Sequence, residues 1–122
     1  MVDKKQVFFI HARPLSKKQG FALASLHYSA TRGVTFAIKY VNKLVGFKMA
    51  MANCGKKDNF NRKLGRQIAE ARLNSTGWWK AKALSDVVEQ MVETCGRNGY
   101  VLPVRSLTYL EETFNGKVRR KD

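Results

Sequence analysis

The sequence predicts an α+β fold, with an antiparallel sheet of about four strands and two amphipathic helices packed on one face. Three observations carry this expectation. Alternating, strand-like runs gather in the first half, and helical periodicity takes over after residue 54. The chain has only two prolines, Pro14 and Pro103, and no repeat or low-complexity tract to mark a linker. It therefore reads as a single domain over residues 1–116 with a basic tail at 117–122.

The first strand is expected over Gln6–Arg13, where QVFFIHAR is aromatic and β-branched and Pro14 removes the next ladder donor. SKKQG at 16–20 is a turn signal, and FALASLHYS at 21–29 is read as a second strand. Val34, Phe36, Ile38 and Tyr40 then alternate with smaller residues. After Asn42-Lys43, Val45, Phe47, Met49 and Met51 do the same. This predicts a hairpin with one bulky face turned to the core and a second face of small residues plus Lys39 and Lys48.

A helix is expected next, capped by Asp58, with Phe60, Leu64, Ile68 and Ala71 as its inward stripe. Gly65, in its middle, costs about 1 kcal/mol relative to alanine and points to close packing. NSTG at 74–77 stops this helix. Leu84, Val87, Val88, Met91, Val92 and Cys95 mark a second one, ended by Gly96, and both helices are expected on the bulky face. VLPV at 101–104 does not suit a central strand. Leu107, Leu110 and Phe114 suit a brief third helix before the basic tail KVRRKD.

The formal net charge is +14 and is unevenly placed. Residues 1–69 hold 14 Lys and Arg against Asp3 and Asp58, whereas residues 70–122 hold 9 against 7 carboxylates. Self-repulsion on that scale opposes folding, so the imbalance points to a polyanionic partner. In CGKKDNFNRKLGRQIAEARL at 54–73, burial of the stripe leaves Arg62, Lys63, Arg66 and Gln67 on the outer side, with Lys56 and Lys57 at the helix mouth. Arg62 and Arg66 are neighbours four apart that repel unless an anion lies across them. Lys39, Lys43 and Lys48 on the hairpin extend the same charge. Trp78 and Trp79, beside Lys80 and Lys82, are candidates for stacking on bases or anchoring a protein interface.

The residues argue against other classes. No apolar run reaches the roughly 18 residues of a membrane span, and the short N-terminal run lacks a secretion-signal pattern. Cys54 and Cys95 are too few for a four-thiolate zinc site and are expected to be reduced thiols in a cytoplasm. There is no G-x-S-x-G, H-E-x-x-H or Walker loop. His11 and His27 lie in apolar stretches, as structural histidines do. The expectation is a protein without catalysis, metal or cofactor.

Cys54, Lys57-Asp58, Phe60, Arg62-Lys63, Gly65-Arg66, Ile68-Ala69 and Arg72-Leu73 together resemble a segment of small phage-encoded basic proteins, mostly uncharacterised. RGVTFAIK at 32–39 and GFKMAMANC at 46–54 are similar to that group as well, so the resemblance covers roughly residues 30–73. It implies a phage context and a host-cell cytoplasm, where such proteins bind nucleic acid or disable a host enzyme or defence complex. Two functions remain open at this point. One is direct binding of DNA or RNA through Lys39, Lys43, Lys48, Lys56, Lys57, Arg62, Lys63 and Arg66. The other is modulation of an acidic host protein or ribonucleoprotein complex. The oligomeric state is not legible in the sequence.

Overall fold

The computed structural model describes residues 7–14 and 31–119, leaving aside the side chains at 31, 56–59 and 115–119. In chain order the elements are β1 (Phe8–Ala12), β2 (Thr31–Asn42), β3 (Gly46–Asn59), α1 (Arg62–Leu73), β4 (Trp79–Ala81), α2 (Leu84–Asn98) and α3 (Val104–Arg119). The four strands form an antiparallel sheet in the order β1-β2-β3-β4, as the α+β expectation requires. The turn expected at 16–20, the strand expected at 21–29, His27 and the last residues of the tail lie outside the described residues.

The hairpin forms as its alternation dictates. Phe36 pairs with Met51, Ile38 with Met49 and Tyr40 with Phe47, all on the bulky face. Thr35 pairs with Ala52 and Ala37 with Ala50 on the other. Val45 falls in the turn rather than in the strand, and Asn42 Oδ1 shapes that turn by accepting the N–H groups of Leu44 and Val45 at 2.9 and 2.8 Å. β4 is the fourth strand of the described sheet. It is only three residues long, set by Trp79 opposite Met49 and Ala81 opposite Phe47.

The bulky face carries the main core. Phe8, Ile10, Val34, Phe36, Ile38, Phe47 and Met49 pack against Val87, Met91 and Cys95 of α2 and Leu110 and Phe114 of α3. Two helices thus lie on one face, but they are α2 and α3. The helix expected beside α2, α1, packs instead on the small-residue face, where Ala37, Ala50, Ala52, Ala69 and Leu73 form a second cluster. Each large side chain buried in this way contributes about 1.5–3 kcal/mol relative to exposure.

Placement on the small face rotates α1 away from its expected stripe. Ala69 and Leu73 are buried and Ile68 is partly buried, whereas Leu64 is 51% exposed and Ala71 faces solvent. The reason is Gly65, which sits so close to β2 that a Cβ there would fall inside contact distance of Thr35 Oγ1. Close packing, not size, selects the buried side. The cap also differs: Asp58 belongs to β3, and Asn61 caps α1 by accepting the Leu64 N–H at 3.0 Å.

The remaining ends are set by local chemistry. The Ala83 N–H donates to the Asp86 carboxylate at the start of α2, 3.1 Å away. α2 runs through Gly96 and stops at Gly99, whose φ of 71° is left-handed. Val92, assigned to the inward stripe, is exposed. α3 is longer than the brief helix expected and continues through 117–119, so the basic tail begins inside a helix. No helix among the described residues is long and apolar enough to cross a membrane.

Candidate functional site

Packing of Gly65, Ile68, Ala69 and Leu73 against the sheet leaves Arg62, Lys63, Arg66 and Gln67 exposed on α1, the outer set expected from the sequence. Arg62 and Arg66 do not stand over open sheet. They reach β1, the outermost of the described strands, where they line one side of a cleft along residues 7–11. Arg13 adds a third guanidinium to this end, its Cζ 4.8 Å from the centre of the Phe60 ring.

His11 sits among these charges. Its Nδ1 lies 2.7 Å from the buried Thr35 Oγ1, and its ring meets Phe60 edge-on at 5.7 Å. Its pKa is lowered to about 4, first by burial and then by the positive charges of Arg62, Arg66 and Arg13. The imidazole is therefore neutral at pH 7. It adds no charge of its own; burial keeps it neutral, and the three guanidiniums reinforce that.

A second cationic group lies on the same face beyond the C-terminal end of α1. Lys39 stands directly opposite Lys48 across β2 and β3, and Lys48 stands opposite Lys80 across β3 and β4. Partners directly opposite in an antiparallel ladder share a face, so the three lysines form one row. Like charges so placed are destabilising, and the Trp78 ring, 4.3 Å from Lys48 Nζ, offsets part of that cost. Lys43 lies further out, exposed in the hairpin turn.

No carboxylate among the described residues neutralises this face. Among the described residues an ion pair joins Arg97 and Glu93 at 3.6 Å on α2, and none involves Lys39, Lys43, Lys48, Arg62, Lys63, Arg66 or Lys80. Glu70 follows Arg66 by one helical turn without pairing to it. Lys56 and Lys57 lie on the last part of β3 rather than at a helix mouth. There β3 advances five residues, Cys54 to Asn59, while β2 steps back two, Gly33 to Thr31.

The structure separates the two tryptophans. Trp78 packs with the small-face cluster beside α1, and Trp79 packs with the bulky core, its Nε1 buried without a hydrogen-bond partner. Both are half-buried, and they do not share a surface. Arg13 and Lys80 join the cationic face although neither stood out in the sequence. The available signals were Arg13 two residues beyond His11 on an alternating strand, and Lys80 flanked by Trp79 and Ala81. Comparison with protein-family models, with curated proteins and with solved structures finds no match to this chain.

Proposed function

We propose that this protein binds nucleic acid without catalysing a reaction, holding the phosphate backbone against the α1 face. The observation that carries the reading is the set of exposed cations Arg62, Lys63 and Arg66 along one side of α1, unpaired with any described carboxylate and continued on the same side of the sheet by Lys39, Lys48 and Lys80. Side-by-side cations that destabilise the free protein are relieved when phosphates lie between them. Interactions of this kind position a polyanion and read little sequence. Resemblance to phage-encoded basic proteins adds a host-cell cytoplasm as the setting.

The test is binding of labelled DNA and RNA oligonucleotides over a range of salt. Both are retarded at low salt, with affinity falling steeply as salt rises. Replacing Arg62 and Arg66 together by alanine weakens every sequence alike and flattens the logarithmic salt slope by about 1.8, at roughly 0.9 for each phosphate no longer neutralised. Absence of any retardation of DNA or RNA at low salt ends this reading.

A further inference from the structure

Among the described strands the sheet ends at β1. Arg13 C=O accepts the Val101 N–H at 2.8 Å, on the side of the strand away from β2. Successive residues of a strand turn their backbone groups to opposite sides, so Phe9 and His11 present their N–H and C=O outward as Arg13 does. The far side of the sheet fixes the same parity. Met51 C=O accepts from Arg72 at 2.8 Å and so faces away from β2, which leaves Ala52, Thr35 and then Val34, Ile10 and Phe8 in the ladders. Among the described residues nothing pairs with the outward groups of Phe9 and His11.

These groups face the cleft along β1, about 340 Å³, which has two unlike walls. On the α1 side stand Arg62 and Arg66. On the α3 side stand Leu110 and Tyr109, the latter 58% exposed and packed 6.2 Å, ring to ring, from Phe8. A strand added here would send alternate side chains to each wall. We propose that the β1 edge takes up an extended acidic segment of a protein partner as a fifth strand, with acidic residues toward Arg62 and Arg66 and apolar residues toward Tyr109. A second copy of this chain would set Arg62 and Arg66 against their own equivalents, and a nucleic acid has no backbone to complete the ladder. The inference does not rest on nucleic-acid binding. It shares two arginines with that surface, so acidic strand and nucleic acid exclude one another.

The test uses the full chain, nuclease-treated and free of oligonucleotide, with ¹⁵N-labelled amides. The probe is the capped peptide acetyl-Glu-Val-Glu-Val-Glu-Val-amide, and its Lys-Val counterpart is the control. The acidic peptide shifts the Phe9 and His11 amides and slows their hydrogen exchange by about tenfold or more, while the laddered amides of Phe8 and Ile10 keep their rates. The Lys-Val peptide leaves all four unchanged, and R62E with R66E, both exposed positions, abolishes the response to the acidic one. The proposal is overturned if neither peptide moves Phe9 and His11 or if both do so equally. It is also overturned if those amides are already protected in the free chain, or become so with protein concentration alone. Protection of the same two amides by an oligonucleotide instead would assign the edge to nucleic acid. Because the oligonucleotide arm is separate, loss of one reading leaves the other standing.

Discussion

On one face of the sheet Phe36, Ile38 and Met49 meet two helices, and on the other Thr35, Ala37 and Ala50 meet one. The first arrangement removes large apolar area from water and supplies most of the folding free energy. The second buries little per residue. It brings α1 close to the strands and leaves long cationic side chains standing around its rim. Stability and surface chemistry are thereby assigned to opposite sides of the same strands, and changes on each side should have separable effects.

The largest effect is expected on the bulky face. Phe36→Ala should cost about 3–5 kcal/mol in urea unfolding, because a fully buried ring leaves a cavity between the sheet and its helices. A cost under about 1 kcal/mol would mean that this face is not the main core. On the small face, Gly65→Ala should destabilise by roughly 1–3 kcal/mol through its clash with Thr35, even though alanine is the better helix former. Thr35→Ala should restore part of that loss. A Gly65→Ala protein more stable than the parent would show that α1 does not approach β2 as described.

Next comes His11, whose folded pKa of about 4 lies below its ordinary 6.5. The unfolded chain takes up the proton first, so the stability owed to the neutral ring is complete above about pH 6.5. It is lost progressively as pH falls toward 4. In an NMR titration, Arg62→Ala with Arg66→Ala should raise this pKa while leaving it below 6.5, since burial is the larger cause. An unchanged value would place the two guanidiniums away from β1. The smallest effect belongs to the lysine row. Lys80→Glu, beside Lys48, should stabilise by about 0.2–1 kcal/mol and weaken oligonucleotide binding, where a destabilised protein would contradict the row.

How much of this was legible depends on how far each feature reaches along the chain. The hairpin alternation is local, and Phe36, Ile38, Phe47 and Met49 declared their face directly. The side of α1 that is buried was not local. It depends on a glycine meeting a threonine thirty residues earlier, and a reading that ranks residues by size selects Leu64 instead. The exposed set Arg62, Lys63 and Arg66 survived that error because the true stripe is offset by about one position. Asn61 and Asp58 are both good caps, and only the length of β3 decides between them. Lys80 was hidden because ladder pairing, not sequence proximity, brings it beside Lys48, and Arg13 because only the tertiary fold brings it to Phe60 and His11.

The two borders of the described sheet are unlike. β4 offers three residues with a lysine at the centre, and β1 offers five flanked by walls of different chemistry. A charged, abbreviated border resists templating of further strands. Of the two, β1 is the border better shaped to accept a further strand, and β4 is the one that discourages it.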